Sequence, residues 1–411
     1  MRVLLDYAAH ELSVDENISY QNSTGVVLDM LVLAVEPNLL SGCFSLATLS
    51  GQNVSGYSLD GNRLEVWLDP PLAANEFVNL NIRYDLSLPP ADHFHLFGYK
   101  TDQINLVDWY PFVVPYSAGW VLHPPGEVGE HLVYDAADFD VTITPTGSTT
   151  DLIIAASGSL TGGNFRLEGA RSFAVSISDE FEQSSRLVDN VTVTSYYFPD
   201  EEVQGVRLLD EVSLALTTYQ EHFGSYPYPV LNIVEADFYD GMEYTGLFFL
   251  GRDFYLADDG TKLNYLIDLA VHETAHQWWF GLVGNDQALE PWLDEALSTY
   301  SEYLFYEQNY PAVSEAWWQF RVNAFSPTGY VDSTIYASND FQTYANAVYL
   351  RGAQFLSDLR ARIGDEAFFA LLNDYAAQMS GKIATRGDFF LILDYHSAAN
   401  NTDLVNEYFS P

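Results

Sequence analysis

The segment with the clearest capacity for chemistry is His-Glu-Thr-Ala-His at residues 272–276. Two histidines four positions apart project from the same face of a helix, close enough for both imidazoles to reach one Zn²⁺ ion. The glutamate after the first histidine then leans over the open coordination position. Because such a pentapeptide also arises by chance, it predicts a metal site only together with a third ligand.

A third ligand is available on the next predicted helix, which begins at Trp292. Its carboxylate residue Glu295 lies 19 positions after His276. Gly281 and Gly284 in the intervening loop allow the chain to turn and bring the two helices together. Two histidines and a glutamate around a vacant fourth position form the ligand set of a catalytic zinc, whereas structural sites are closed. We therefore expect one Zn²⁺ ion per chain, held by His272, His276 and Glu295.

Such a site predicts metal-assisted hydrolysis of an amide. Zinc lowers the pKa of its bound water to about 7 and polarises a carbonyl group. Glu273 is then the expected general base, which takes a proton from the zinc-activated water and passes it to the leaving amine. Carboxylates commonly orient zinc-bound imidazoles, and Asp294 and Glu302 are the candidates on the second helix. For each of these two, a solvated helix charge is the alternative.

The elements that must position these residues fall into two groups. From the start to about residue 180, short alternating runs separated by Gly, Asn, Asp and Pro predict an all-β domain. After residue 191 the period changes and helices dominate. They are predicted at residues 206–223, 263–280, 291–307, 347–363 and 365–378. The sequence thus predicts an α+β multidomain chain, with a β domain at 1–183 and a mainly helical catalytic domain at 184–411.

Composition restricts the partners of the protein. The 411 residues include 57 Asp and Glu against 16 Lys and Arg, a formal net charge of −41. So acidic a surface repels phosphate backbones and anionic lipids, which disfavours nucleic acid as a partner. No apolar run approaches the roughly 18 residues of a membrane span. We expect an extracellular or cell-envelope protein whose signal or anchor segment lies outside these residues. A cytoplasmic location and a homo-oligomer both stay open.

Several segments together resemble one enzyme family. Residues 272–279 and 292–295 are similar to the gluzincin metallopeptidases of the M1 family, the group of aminopeptidase N and leukotriene A4 hydrolase. The likeness extends to residues 223–228 and to predicted strands at 136–143 and 170–177. It implies a saddle-like β sandwich followed by a thermolysin-like zinc peptidase domain. It also implies a short form, without the helical C-terminal domain that caps the cleft in larger members.

The resemblance includes a segment for substrate recognition. The family's exopeptidase motif, Gly-Ala-Met-Glu-Asn, is matched at residues 240–244, where Met242 and Glu243 agree. This implies that Glu243 holds the free α-ammonium group of the substrate, with Gly241 and Met242 beside it. A carboxylate one residue's length from the zinc would select chain ends, because it pairs with a charge that only the first residue carries. An ordinary edge-strand acid is the alternative.

The resemblance also implies a catalytic tyrosine. The family's Tyr-x-Lys-Gly is matched at residues 349–352, at the start of a predicted helix. The hydroxyl of Tyr349 would donate to the oxyanion that develops in the tetrahedral intermediate, and loss of one such donor costs about 10²–10³-fold in rate. Tyr344 is the competing residue nearby. Tyr349 is favoured because Val348 and residues 351–353 accompany it.

The leading functional hypothesis is a zinc-dependent aminopeptidase that acts on peptides with a free N-terminus. An endopeptidase or broader hydrolase is the second hypothesis, since the exopeptidase motif departs from the family at three positions. The third is a non-catalytic peptide-binding module. It is disfavoured because His272, Glu273, His276 and Glu295 are all present.

Overall fold

The computed structural model describes residues 1–148 and 151–411. A long mixed sheet organises the N-terminal domain, and its strands bury every second residue, as Phe77–Ser87 illustrates. Arg2–Asp6 runs parallel to Ala137–Thr146, and the other neighbours are antiparallel. In order across the sheet the strands are Ser159–Thr161, Asn164–Ala170, Ala137–Thr146, Arg2–Asp6, Glu11–Gln21, Phe77–Ser87 and Phe44–Gly51.

Smaller antiparallel sheets complete this domain. One contains Phe112–Val113, Leu28–Ala34, Arg63–Leu72 and Val54–Asp60 in that order. Another contains Ile153–Ala156, Val175–Ser178, Ile104–Leu106 and Gly98–Tyr99. The core between the sheets includes Leu31, Val66 and Ile82, which are fully buried. The predicted β-rich N-terminal domain is confirmed.

The C-terminal domain begins with a mixed sheet. Its strands, in order, are Glu182–Val188, Val191–Tyr197, Val230–Ala236, Leu247–Gly251 and Gly241–Tyr244. The last of these is an edge strand and carries the matched exopeptidase motif. Residue 183, the predicted domain boundary, lies inside the first strand. The sheet thus starts within two residues of the predicted position, and the exact boundary between the two domains stays a prediction.

Helices make up most of the remaining C-terminal domain, as predicted. They span Glu202–Phe223, Arg252–Leu256, Tyr265–Ala275, Trp292–Asn309, Ser314–Trp317, Phe341–Ala345, Arg351–Ile363, Asp365–Met379, Arg386–His396 and Thr402–Tyr408. The helix predicted at 263–280 is shorter, because the Asn264 side chain caps its start and the chain leaves the α-helix after Ala275. The helix predicted from 347 opens with a π-helical turn, Asn346–Leu350. Across the described residues, no helix is both long and apolar enough to cross a membrane.

Buried polar side chains hold the helices and the domains in register. The Tyr219 hydroxyl lies 3.0 Å from the carbonyl oxygen of Val271 and 3.1 Å from that of Ser301, so it joins three helices. Arg171 crosses from the N-terminal domain and donates to the carbonyl oxygens of Phe280 (2.7 Å) and Lys382 (2.6 Å). The bond to Phe280 satisfies a carbonyl in the loop that follows the His-Glu-x-x-His segment, and the bond to Lys382 ties the same guanidinium to the segment before helix Arg386–His396.

Candidate active site

Two packed helices bring the predicted metal ligands together. His272 lies in the last turn of helix Tyr265–Ala275, and His276 keeps helical dihedral angles just after it, so both imidazoles share one face. Glu295 projects from the first turn of helix Trp292–Asn309. The Nε2 atoms of the histidines lie 3.0 Å apart, and Oε2 of Glu295 lies 3.2 Å from that of His272 and 3.4 Å from that of His276.

The donor set fits a zinc ion. Nδ1 of His272 is 2.7 Å from Oε1 of Glu302, and Nδ1 of His276 is 3.0 Å from the carbonyl oxygen of Trp279. Because these oxygens only accept, each Nδ1 carries the proton and each Nε2 presents a lone pair toward the other ligands. Donors about 2.0–2.1 Å from a tetrahedral ion lie about 3.3 Å apart, close to the spacing found here. Only a cation satisfies the three converging lone pairs.

The electrostatics of the ligands also favour a cation. Burial opposes a charged imidazole, but hydrogen bonds with Glu295 and Glu302 raise the pKa of His272 to about 9. Burial likewise works against ionisation of Glu295, yet His276 and His272 hold the pKa of its carboxyl below the ordinary value. Without a metal, therefore, a proton provides the positive charge that this buried cluster requires.

Glu273 lies beside this cluster with one oxygen available for proton transfer. Its Oε2 atom is buried and has no hydrogen-bond partner among the described residues. Burial raises the pKa of Glu273 to about 8, and Glu243 and Glu295 add to the shift. The backbone of Gly241 packs directly on the Glu273 carboxylate, since any Cβ at residue 241 would collide with Oε1. Glycine is therefore required where the edge strand approaches the base.

The two candidate orienting carboxylates behave differently. Glu302 accepts from His272 and also forms a 2.9 Å ion pair with Nε of Arg321, which lies 3.0 Å from Oδ2 of Asp268 as well. Its pKa stays below the ordinary value despite burial, because Arg321 and His272 stabilise the charge. Asp294 instead accepts the backbone N–H of Glu295 at 2.8 Å. Glu302 thus orients an imidazole directly, whereas Asp294 supports the ligand through the main chain.

Tyr349 lies over the metal ligands. Its ring is parallel to that of His272, with centroids 6.0 Å apart, and Tyr344 contacts it edge-on at 5.8 Å. Tyr349 is half-buried, whereas Tyr344 is buried. Burial and the nearby carboxylate of Glu295 raise the pKa of Tyr349 well above its ordinary value, so the phenol remains a hydrogen-bond donor. Of the two tyrosines, Tyr349 therefore has the better position for an oxyanion.

Glu243 approaches the same cluster from the edge strand. A carboxylate oxygen of Glu243, one of Glu273 and a ring nitrogen of His276 all lie within 4.8 Å of one another. The Nε2 atom of Gln287 donates to Oε1 of Glu243 at 3.2 Å. Met242 and Glu243 also line a cavity of about 500 Å³ between the two domains. The predicted substrate residues Gly241, Met242 and Glu243 thus form one wall beside Glu273.

Comparison with known proteins places this geometry in a family. Residues 208–408 match the peptidase family M1 domain. The chain carries an M1 peptidase domain. This M1 domain contains every site residue predicted from the sequence, from Gly241 to Tyr349.

Relatives and solved structures agree with this assignment. Aminopeptidase M1-D of Oryza sativa is 28% identical over 208 residues, which cover 46% of this chain and 24% of that protein. Probable aminopeptidase 1 of Saccharolobus solfataricus is 24% identical over 46% of this chain and 26% of its own length. The chain thus spans about a quarter of these curated relatives. An M1 zinc metallopeptidase from Deinococcus radiodurans shares the fold, with a TM-score of 0.70, 17% identity, and coverage of 100% of this chain and 92% of that one.

Two residues beside the M1 site were missed by the sequence reasoning. Glu130 lies outside the matched segment, in an irregular stretch of the N-terminal domain, and lines the same cavity as Glu243. Burial raises its pKa well above the ordinary value, and Glu243 is the largest charged contributor. Arg321 lies in a π-helical turn, Trp318–Val322. Neither belongs to a periodic pattern, and one glutamate among many gives no signal of its own.

Proposed function

We propose that the protein is a zinc-dependent aminopeptidase that hydrolyses N-terminal residues from peptides. The observation that carries this proposal is the position of Glu243, whose carboxylate lies within 4.8 Å of both Glu273 and His276. The amine nitrogen and carbonyl carbon of one residue are only about 2.5 Å apart. An ammonium group on Glu243 would therefore bring the first peptide bond, and no later one, to Glu273.

Glu130 strengthens the proposal. Two carboxyl groups, Glu243 and Glu130, line the same cavity, and each raises the cost of ionising its neighbour. A substrate ammonium between them would relieve this repulsion and donate charge-assisted hydrogen bonds to both. A blocked N-terminus lacks that charge. The acidic surface of the whole chain would also attract cationic peptide ends.

In the proposed reaction, different residues bind the metal, transfer the proton and stabilise the oxyanion. His272, His276 and Glu295 would hold the zinc, which when bound polarises the scissile carbonyl and makes water acidic enough to act at neutral pH. Glu273 takes a proton from the attacking water as its oxygen bonds to the carbonyl carbon, and delivers that proton to the leaving nitrogen as the C–N bond breaks. The Tyr349 hydroxyl donates to the oxyanion formed in between.

The deciding experiment compares free and blocked substrates. Wild type and Glu273→Gln, each with its metal content quantified, are assayed on aminoacyl-arylamides and on the same compounds N-acetylated. We expect zinc-loaded wild type to cleave only the free amines, and the variant to keep its metal while losing about 10²–10⁴-fold in kcat. Glu221→Gln, an exposed glutamate distant from the site in the fold, is the matched control.

The other outcomes separate the alternatives. Equal cleavage of acetylated compounds would remove Glu243 as an amine anchor and favour an endopeptidase. Zinc binding without turnover of any compound would favour a binding module. Unchanged activity in Glu273→Gln would exclude this residue as the base.

A further inference from the structure

The cavity beside Glu243 is the natural place for the side chain of the first substrate residue. It has a volume of about 500 Å³ and lies between the two domains. Glu243 and Glu130, which both line it, would hold the ammonium group, and Glu273 beside Glu243 marks the carbonyl. With those two groups fixed, the other residues of the lining would face the side chain. This reasoning rests on the proposed function.

The cavity is lined by apolar side chains and by carboxylates. The apolar residues include Leu39, Leu40, Phe97, Val107, Leu132 and Phe280. Beyond the amine-binding pair, the cavity is also lined by the carboxylates of Asp108 and Glu36. Among the described residues that line it there is no lysine or arginine, and the basic groups present are the imidazoles of His95 and His131. A neutral apolar ligand would bring no positive charge to either carboxylate.

Asp108 is held in a position to accept further hydrogen bonds. Its backbone adopts a left-handed conformation, with φ of 49°, which aspartate tolerates better than most residues. The Tyr134 hydroxyl donates to Oδ1 at 2.5 Å, and the Tyr244 hydroxyl donates to Oδ2 at 3.4 Å. Each oxygen keeps a lone pair. Burial raises the pKa of Asp108 to about 6, so most of it is charged at pH 7 and above.

Glu36 provides a second carboxylate from the N-terminal domain. Its Oε1 atom accepts from Nδ2 of Asn62 at 2.6 Å, and its Oε2 atom lies 3.3 Å from Nε2 of His131. Its side chain is only 14% exposed. It therefore adds to the negative potential of the cavity in an environment where salt screens poorly.

We infer that this cavity selects peptides whose N-terminal residue is arginine or lysine. The apolar walls cover the methylene stem, and Asp108 together with Glu36 pairs with the cationic head. Buried polar groups that would be left unpaired by the wrong ligand give strong discrimination. The preference therefore depends on charge at the end of the side chain, and not only on its length.

The experiment compares side chains of similar shape and different charge. Zinc-loaded wild type is assayed on arginyl- and citrullinyl-arylamides, and on lysyl- and norleucyl-arylamides. We expect kcat/KM to favour the charged member of each pair by about 10–100-fold, the range typical of a charge-assisted hydrogen bond. A ratio near one in both pairs would overturn the inference while leaving the aminopeptidase function intact. If none of these four compounds were cleaved, and leucyl-arylamide were not cleaved either, both this inference and the aminopeptidase function would be overturned.

Isosteric variants assign the selectivity to residues. In Asp108→Asn the arginine-to-citrulline ratio should fall toward one, and in Glu36→Gln it should fall by a smaller factor. The ratio is taken within one preparation, so a partial loss of folded enzyme cancels. Asp253→Asn is the matched control, because Asp253 is exposed and lines a different cavity. Retention of the wild-type ratio in both cavity variants would overturn the assignment, and should Asp108→Asn not fold, Glu36→Gln still tests it.

Discussion

In the metal centre both ring nitrogens of His272 and His276 have partners within one domain, whereas the cavity beside Glu243 is lined by residues from both domains. The imidazoles of His272 and His276 donate to Glu302 and to the Trp279 carbonyl, and Arg321 donates to Glu302 in turn. In the cavity, Glu130 and Glu243 lie close together as like charges. The centre is therefore organised before substrate arrives, and the cavity is organised to receive a cation.

Because of this difference, substitutions in the metal centre and substitutions in the cavity should impair activity in two distinct ways. Damage to the centre should reduce kcat or metal content for every substrate. Damage to the cavity should change the discrimination among substrates and raise KM, with less effect on the chemical step. Variants in the two regions should consequently fall into separate classes, and any variant that falls into the wrong class would break the comparison.

After loss of the general base, the largest effect is expected at Tyr349. Tyr349→Phe removes one hydroxyl and keeps the ring that stacks on His272, so zinc affinity should not change. We expect kcat to fall by about 10²–10³-fold, with little change in KM, because the donor acts on the oxyanion only. Steady-state kinetics on a good arylamide substrate, with zinc quantified, measure this.

Tyr344→Phe is the control for that variant. Tyr344 is buried and its hydroxyl has no hydrogen-bond partner in the described part of the chain. Its kcat should stay within a few fold of wild type. If Tyr344→Phe lost the activity and Tyr349→Phe kept it, the two assignments would have to be exchanged.

The same contrast explains how much the sequence could predict. The predicted ligands His272 and Glu295 lie on two regular helices, and His276 follows the first with helical dihedral angles, so that spacing alone determines which side chains share a face. The alternation of strands such as Phe77–Ser87 likewise predicted the β domain. Glu302 could be proposed because it lies two turns after Glu295 on the same helix.

The rest depends on contacts that no local pattern encodes. Glu130, Asp108 and Glu36 lie in irregular segments or a short 3₁₀ turn, and sheet pairing and domain packing bring them to one cavity. Arg321 lies in a π-helical turn, where the 3.6-residue period is lost. The helix predicted to reach residue 280 ends at Ala275, and the carbonyl of Phe280 then accepts from Arg171 of the N-terminal domain.

An intermediate effect is expected at Glu302, which accepts a hydrogen bond from the imidazole of His272. Glu302→Gln keeps the shape of the side chain but weakens the hydrogen bond to Nδ1 of His272, and so makes that imidazole a poorer ligand. Zinc affinity should fall by about 10–100-fold, measured by competition with a chelator. Excess zinc should restore most of the activity.

Glu307→Gln controls for a change of charge on the same helix. Glu307 pairs with Arg360 near the surface, away from the imidazoles, and its zinc affinity should equal that of wild type. If Glu302→Gln also bound zinc as tightly as wild type, the carboxylate would serve only to pair with Arg321.

The smallest effect is expected for the two carboxylates that would share the substrate ammonium. Because Glu130 and Glu243 line the same cavity, removal of either leaves the other to pair with the charge. We expect Glu130→Gln and Glu243→Gln each to raise KM for free-amine substrates by about tenfold, close to the loss of one charge-assisted hydrogen bond. The double variant should lose more than either single variant, and preference for free over acetylated substrates should disappear with it.

Comparison of the two single variants with the double variant shows whether Glu130 and Glu243 bind the same ammonium group or act independently. The pKa of each carboxyl is raised, by burial first and then by nearby carboxylates, so removal of one should lower the pKa of the other and strengthen its single remaining bond. The two single losses should therefore add up to less than the loss in the double variant, and this difference should grow as the pH falls, because protonation of the wild-type pair then weakens ammonium binding. KM measured from pH 6 to pH 9 for the four proteins tests this. Strictly additive losses at every pH would mean that the two carboxylates bind separate parts of the substrate, and the cavity would then hold no shared ammonium site.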